Sequence, residues 1–165
     1  MGVTVERQGD KMMISQPDII ARLERYFGQE VQGLKEYKTP LPAHYHVVRP
    51  DKDTTDVLPK TDMLKYRSGT GSLLYLVKHS RIDIANAVRE LSKVMDRAAP
   101  NHMKELLRCI RYVLLTKGRK LKFKLSRSDK IKVRAICDSD YAGDPETRRS
   151  VSGFIVYVNE CPVAW

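Results

Sequence analysis

The chain has 165 residues, which is enough for one domain, or for one domain and part of a second. Hydrophobic residues make up 42% of it, enough for an ordinary core, and no apolar stretch is long enough to span a bilayer. The net charge of +10 favours a polyanionic partner such as nucleic acid, while the three cysteines, without a Cys-x-x-Cys pair, indicate neither a disulfide framework nor a zinc site.

The first elements expected along the chain are a β-hairpin and a helix. Alternating residues at 3–7 and 11–14 flank a Gly-Asp turn, as in a two-stranded hairpin. Ser15 is a suitable N-cap for the helix, and Pro17 suits its first turn. Gly28 is expected to end this helix.

A proline-rich connection and a helix that contains glycine are expected next. Residues 34–59 hold four prolines among polar residues, which predicts an irregular connection over the surface. A helix is expected at 63–78, although Gly69 and Gly71 lie in its middle, where each glycine costs roughly 1 kcal/mol relative to alanine. Their small size must serve close packing, which is favoured, or close approach of a nucleic-acid backbone.

Two more helices are expected at 83–95 and from residue 100 onward, because apolar residues recur there at helical spacing. In the second, Lys104, Arg108 and Arg111 form a basic stripe beside the apolar face. A merely solvated charged face is an equal alternative for this stripe. His79 and His102, single histidines near helix ends, are expected to be structural.

The chain is expected to divide near Gly118, between a mostly helical segment and a terminal β-meander. Residues 121–125 alternate as a half-buried strand, and a turn at 126–130 follows. Strands at 131–136 and 154–158 complete the meander. The expected fold class is α+β, with an N-terminal β-hairpin, a helical bundle and then a partial antiparallel sheet.

Three acidic residues, Asp138, Asp140 and Asp144, follow the strand at 131–136. Residues i and i+2 share one face of a strand, so Asp138 and Asp140 could both reach one Mg²⁺ ion. Two such ions clamp the attacking and leaving oxygens in many nucleases. The alternative is that Asp140, Gly143 and Asp144 are turn residues, which is favoured for Asp144.

Several segments, in this order, resemble the polyproteins of copia-type retrotransposons. Residues 66–76 read YRSGTGSLLYL, close to the family's YRS-VGSLLYL, and residues 138–144 read DSDYAGD, close to its SDSDWAGD with Tyr141 in place of Trp. Residues 148–154 read RRSVSGF, close to RRSTSGY. Shorter similarities occur at 1–7, 14–16, 38–41, 81–84 and 107–112.

The resemblance implies the junction between reverse transcriptase and RNase H. Residues 1–118 would be the end of the polymerase palm with the thumb and connection, and residues 119–165 the opening strands of an incomplete RNase H-like domain. The parent would be an RNA-directed DNA polymerase with RNase H, and both activities would use Mg²⁺. Asp138 would be the first RNase H metal ligand, with Asp140 as a weaker candidate.

The polymerase aspartates of the family would lie upstream of this chain, and the later RNase H ligands downstream of Trp165. The chain alone is therefore expected to be inactive and to bind no Mg²⁺ tightly. The resemblance also implies a location inside the cell, in the cytoplasm, where the parent element would form a virus-like particle, or in the nucleus.

In the family a thumb helix lies along the minor groove of the primer–template duplex. The expected partners are therefore an RNA–DNA hybrid or another duplex, together with the rest of the polyprotein, and no membrane. The expected contact residues are Arg67, Gly69, Gly71, Lys78, Arg81, Arg89, Lys93, Lys104, Arg108, Arg111, Arg148 and Arg149.

An alternative is a retrotransposon-derived interaction module that is not catalytic. An incomplete sheet would leave a strand edge unpaired, at 154–158 or at 163–165. Such an edge invites pairing with another chain, including a second copy.

Overall fold

The structure is a computed structural model that describes residues 2–124, 130–144 and 146–165. Helices and antiparallel sheets are both present, which confirms the expected α+β class. No helix of the described residues is both long enough and apolar enough to cross a membrane. The elements are β1 (Thr4–Gln8), β2 (Lys11–Ser15), α1 (Pro17–Gln32), α2 (Lys60–His79), α3 (Ala85–Ser92), α4 (Pro100–Leu115), β3 (Leu121–Lys124), β4 (Val133–Ser139), β5 (Ser152–Val158) and β6 (Cys161–Ala164).

The described chain forms two compact units. The helical unit comprises Ser15–Arg119 with the residues up to Thr4, and the sheet unit comprises Val5–Ile14 with Lys120–Trp165. The hairpin residues therefore group with the C-terminal part of the chain, although the sequence placed them with the helical segment. The assignment of the two parts to a polymerase and an RNase H stays a prediction.

Helix α1 is longer than the sequence predicted, because its apolar stripe continues past Gly28. Phe27 and Val31, four residues apart, are both buried, so the helix gains another turn of core contact. The N-cap is Gln16 rather than Ser15. The buried Gln16 side chain donates to the Tyr75 carbonyl at 3.2 Å, which fixes the start of the helix against α2.

Helix α2 crosses the core of the helical unit at Gly69. A Cβ at this position would lie 3.0 Å from Leu106 Cδ2 and 3.0 Å from Phe27 Cζ. Gly69 therefore allows α1, α2 and α4 to approach one another closely. A Cβ at Gly71 would meet nothing within 4 Å. The packing alternative is thus the one that the structure supports for Gly69.

The helix expected at 83–95 is shorter in the structure. A 3₁₀ turn at Ile82–Ile84 precedes α3, which ends at Ser92. Within this turn Arg81 donates to Asp83 through Nε at 2.8 Å and through Nη2 at 2.9 Å. The connection at 34–59 contains neither helix nor strand, as expected.

The sheet unit contains two three-stranded sheets, β1-β2-β3 and β4-β5-β6. β3 pairs antiparallel with β2, and Met12 lies opposite Phe123. The prediction that β3 belongs to the terminal meander is therefore wrong. Leu125 and the turn residues 126–129 lie outside the described residues.

The expected open edge at 154–158 is also wrong. β5 is the central strand of its sheet, and its hydrogen bonds are shared between β4 and β6. The other expected edge, 163–165, overlaps β6, and β4 and β6 are the terminal strands of this sheet within the described chain.

Candidate nucleic-acid interface

Helix α4 presents the basic stripe that the sequence predicts. Pro100 occupies the first turn, and His102 Nδ1 accepts the Ala99 backbone N–H at 2.9 Å, so the start of the helix is fixed. Lys104, Arg108 and Arg111 follow at spacings of four and three, which places neighbours on one face of a helix. The apolar side of α4 is buried through Leu106, Cys109, Ile110 and Val113.

The connection before α2 adds an aromatic ring and a further cation to this stripe. The Arg108 guanidinium lies 4.5 Å from the centre of the Tyr37 ring, and its Nη2 donates to Thr39 Oγ1 at 3.2 Å. Lys35 Nζ lies 5.4 Å from the same ring centre. An aromatic face attracts cations, so Tyr37 positions both. We call Lys35, Tyr37, Lys104, Arg108 and Arg111 the α4 basic face.

Glu105 is the one acidic residue of α4, and it does not balance the three cations. Burial raises the pKa of Glu105, and the nearby charge of Arg108 lowers it only in part. The face therefore keeps a net positive charge. Cations that are held beside an aromatic ring suit a polyanion such as nucleic acid, since its phosphates bind cations.

Sequence reasoning missed Lys35 and Tyr37. The signal was present, because residues 35–38 read KEYK, an aromatic residue between two lysines. The sequence does not show that this segment lies beside Arg108, which is 71 positions after Tyr37. That proximity depends on how the connection folds over α4.

Arg81 is not a surface ligand, which corrects its expected role in nucleic-acid contact. Its side chain is 1% exposed and is bound to Asp83, and Nη2 also donates to Thr116 Oγ1 at 2.7 Å. Partial burial raises the pKa of Asp83, but the hydrogen bonds from Arg81 and Tyr112 and the charges of Arg81 and Arg119 outweigh it, and the net pKa is lowered. A guanidinium engaged in this way stabilises the fold.

Arg89 and Lys93 neutralise a buried carboxylate. The Glu90 side chain is fully buried, and its Oε1 lies 2.5 Å from Arg89 Nη2 and 3.0 Å from Lys93 Nζ. Glu90 Oε2 also accepts the Val47 backbone N–H at 2.9 Å. Both cations therefore have a structural role, and their contact with nucleic acid stays a prediction.

The remaining expected contact residues of the helical unit lie on α2. Arg67 is exposed, and its Nε donates to the Met95 carbonyl at 2.6 Å. Gly71 and Lys78 are exposed. Gly69 is buried among Phe27 and Leu106 and cannot reach a ligand, which corrects its expected contact role.

In the sheet unit, Arg148 and Arg149 lie exposed in the loop between β4 and β5. Arg148 has a φ of 55°, and its backbone N–H donates to the Asp144 carbonyl at 2.9 Å. The two side chains are thus available to solvent, as expected for either a phosphate contact or a solvated turn.

Asp138, Asp140 and Asp144, the three aspartates in and after the second half of β4, have different environments. Asp138 is exposed within β4. Asp140 Oδ1 accepts the Val151 backbone N–H at 2.6 Å, and a Cβ at Gly143 would lie 2.2 Å from Asp140 Oδ2. Asp144 Oδ1 accepts the backbone N–H groups of residues 146 and 147 at 3.1 and 2.8 Å, so it is a turn residue, as favoured.

These carboxylates make a small donor set for a metal ion. Within the described ranges, no group of three or more His, Cys, Asp or Glu side chains is placed to hold one. Mg²⁺ takes one or two protein carboxylates and fills its other positions with water and phosphate. Asp140 is partly committed to Val151, so Asp138 is the better donor, and its role as a ligand stays a prediction.

Comparison with known proteins connects the chain to transposons. It is 32% identical over 168 residues to the retrovirus-related Pol polyprotein from transposon TNT 1-94 of Nicotiana tabacum, and this match covers 100% of the chain. It is 35% identical over 105 residues to the retrovirus-related Pol polyprotein from transposon RE1 of Arabidopsis thaliana, which covers 64% of the chain. It is also 37% identical over 100 residues to the secreted RxLR effector protein 161 of Plasmopara viticola, and this match covers 61% of the chain and 69% of that protein.

The chain spans only a small part of the polyproteins, 12% of the TNT 1-94 protein and 7% of the RE1 protein. No protein-family model matches the chain, and no solved structure matches it. The similarity to the TNT 1-94 polyprotein nevertheless extends over the helical unit and the sheet unit together. The chain is therefore similar to a short segment of retrovirus-related Pol polyproteins from plant transposons.

Proposed function

We propose that the chain is the reverse transcriptase–RNase H junction of a copia-type Pol polyprotein, and that it holds duplex nucleic acid through the α4 basic face. The observation that carries the proposal is the cluster itself: three cations at helical spacing, with Arg108 stacked 4.5 Å from the Tyr37 ring. The similarity to transposon Pol polyproteins supports the proposal, because a thumb helix of the copia-type family lies along the primer–template duplex.

The chemistry of this face suits binding without sequence selection. Lysine and arginine neutralise phosphates and release counterions, which is a sequence-independent contribution to affinity. A guanidinium binds two phosphate oxygens at once, so Arg108 and Arg111 are also expected to orient the duplex. The stacking on Tyr37 restricts the movement of Arg108 before the ligand arrives, which reduces the entropy lost on binding.

In the parent polyprotein the proposed activity is RNA-directed DNA synthesis with hydrolysis of the RNA strand. Mg²⁺ would activate the attacking water and stabilise the leaving oxygen in the hydrolytic step. Asp138 would supply one carboxylate to it, and the other ligands have to come from outside the described residues. Arg148 and Arg149 would contact the phosphates of the hybrid beside that site.

The match to TNT 1-94 favours this proposal over the alternative that the chain is an effector protein like the relative from Plasmopara viticola. The polyprotein match covers the whole chain, whereas the effector match covers 61% of it. The functional residues proposed here, Asp138 and the α4 basic face, both fall inside the polyprotein match.

The test is to replace Lys104, Arg108 and Arg111 together by glutamine and to measure binding to a labelled RNA–DNA hybrid. Loss of three charge-assisted phosphate contacts is expected to weaken binding about 100-fold. The matched control replaces the exposed cations Arg25, Lys52 and Lys60 by glutamine, which removes the same charge outside α4.

The control triple variant is expected to bind within about threefold of the unaltered chain, because charges away from the interface act only through a screened field. Equal losses in the two triple variants would contradict an interface on α4, since the net charge alone would then account for binding. Circular dichroism of both variants shows whether α4 stays folded.

A further inference from the structure

Thr39, in the connection between α1 and α2, stands directly before a proline. It is the only serine or threonine of the 165 residues that does so. Protein kinases of the proline-directed class phosphorylate a serine or threonine in this position. The proline also favours an extended backbone at the residue before it. The chain therefore offers such a kinase a single acceptor residue.

The segment around Thr39 is open to an enzyme. Thr39 is exposed, and the connection that holds it contains neither helix nor strand. Within the described chain, no backbone group of residues 35–40 bonds to another backbone group. The Thr39 hydroxyl donates to the Leu41 carbonyl at 2.9 Å. Entry of this segment into a kinase cleft therefore disrupts no helix and no strand.

The Thr39 hydroxyl also lies against a guanidinium that has donors to spare. Arg108 Nη2 donates to Thr39 Oγ1 at 3.2 Å. Arg108 Nε is buried and has no hydrogen-bond partner among the described residues. A guanidinium has five N–H donors in a planar fork, which suits two oxygens of one phosphate. A phosphate bonded to Thr39 Oγ1 therefore lies beside Arg108.

The charges around Thr39 favour an anion at this position. Lys35 and Lys38 belong to the same segment, and Glu36 is the one acidic residue between positions 35 and 40. A phosphothreonine carries a charge of about −1.5 to −2 at pH 7. Opposite arginine and lysine such a group forms roughly one to three charge-assisted hydrogen bonds. Phosphorylation therefore adds a ligand for Arg108 from within the chain.

We propose that Thr39 is a phosphorylation site for a proline-directed protein kinase, and that its phosphate binds Arg108 and displaces duplex nucleic acid from the α4 basic face. In the reaction the Thr39 Oγ1 atom attacks the γ-phosphorus of ATP, the bond from that phosphorus to the bridging oxygen of ADP breaks, and the hydroxyl proton passes to the base of the kinase. The displacement rests on the proposed function, whereas the modification and the binding of its phosphate to Arg108 do not.

The attached phosphate competes with the phosphates of the duplex for the same cation. A tethered group acts at an effective concentration on the order of millimolar. It also cancels up to about two of the positive charges that Lys35, Lys104, Arg108 and Arg111 supply. The affinity for an RNA–DNA hybrid is therefore expected to fall about 20-fold on phosphorylation.

The first test is the modification itself. The unaltered chain is incubated with ATP and a purified mitogen-activated or cyclin-dependent kinase, both of which are proline-directed, and mass spectrometry locates the phosphate. Phosphate is expected on Thr39, and the Thr39→Val variant, which keeps the shape of the side chain, should lack it. Absence of phosphate on Thr39 with both kinases would overturn the proposal.

The second test examines the contact with Arg108 in the absence of nucleic acid. Phosphorus NMR follows the second ionisation of the phosphothreonine, whose pKa is about 6 when the group is free. A neighbouring guanidinium favours the dianion, so this pKa should be lowered in the phosphorylated chain and should rise again in Arg108→Gln. Arg25→Gln, which removes an exposed cation from α1, is the control. The same pKa in the unaltered chain and in Arg108→Gln would overturn the contact.

The third test compares the binding of the phosphorylated and the unmodified chain to a labelled RNA–DNA hybrid. Thr61→Glu, which adds negative charge at an exposed position of α2, is the control and should bind within about twofold of the unaltered chain. If the unmodified chain binds and phosphorylation leaves its affinity unchanged, the displacement is wrong while the proposed function stands. If the unmodified chain does not bind, the proposed function and the displacement both fail, and the first two tests still decide the modification and its contact with Arg108.

Discussion

At the scale of single residues, the two glycines of α2 provide a matched pair. Gly69→Ala would place a methyl group 3.0 Å from Leu106 Cδ2 and Phe27 Cζ in the core, whereas Gly71→Ala would place one in open space. For Gly69→Ala we expect overpacking to outweigh the gain in helix propensity, so that the free energy of unfolding falls by about 1 kcal/mol. For Gly71→Ala only the gain in helix propensity remains, and the free energy of unfolding should rise by up to about 1 kcal/mol.

The measurement is urea unfolding of both variants beside the unaltered chain, followed by circular dichroism at 222 nm. Opposite signs are the essential outcome, because the substitution is the same and only the surroundings differ. Two stabilised variants would mean that α1 and α4 do not approach α2 as closely as described.

Asp83 gives a residue-scale prediction for pH. Its pKa is lowered from an ordinary value of 3.8, so it contributes stability that is present above that value and is lost as the pH falls through the lowered pKa. Asp83→Asn leaves the buried Arg81 without a counter-charge and should cost at least about 2 kcal/mol at pH 7.

The free energy of unfolding of this variant should also fall less steeply below about pH 4 than that of the unaltered chain. Denaturant titrations at pH 7 and in acid measure both effects. Asp53→Asn, which removes an exposed carboxylate from the connection, is the control. If the two variants lost the same stability at pH 7, the Arg81–Asp83 cluster would have no structural role.

At the scale of elements, the amphipathic helices, the β1–β2 hairpin and the pairing of β4 with β5 could be predicted from sequence, whereas the partner of β3 could not. Helix spacing is local, so α1, α2 and α4 were found with errors only at their ends. The partner of β3 was missed because pairing of Met12 with Phe123 joins residues far apart in the sequence. The alternation of residues 121–124 predicts a strand but does not specify its neighbour.

The end of α1 is the clearest element-scale test. If Gly28 ended the helix, alanine there would be strained; in the structure the helix continues to Gln32, and a Cβ at Gly28 meets nothing within 4 Å. Gly28→Ala should therefore stabilise the chain by about 1 kcal/mol. Thermal unfolding measures this, and a lowered midpoint would contradict the continuous helix.

The same distinction between local and distant contacts explains which residues of the candidate site could be predicted from the sequence. Lys104, Arg108 and Arg111 were found because their spacing lies within one helix. Tyr37 was missed because the connection brings it to Arg108 from outside α4. Arg81 was misassigned because its burial depends on how α4 packs, although its partner Asp83 lies only two positions away.

At the scale of the whole molecule, the net charge of +10 and its partial concentration on the α4 basic face bear on function. A basic chain attracts any polyanion, so affinity alone does not separate an interface from a general field. What separates them is the number of phosphates neutralised, which is read from the salt dependence of binding.

The most direct test of the central claim is the affinity of the chain for a labelled RNA–DNA hybrid across a range of salt concentrations. If the α4 basic face neutralises phosphates, log K should fall linearly with log salt by about 0.9 for each one, and the triple variant at positions 104, 108 and 111 should have a shallower slope by two to three such steps. A flat response, or an identical slope in the variant, would contradict the account.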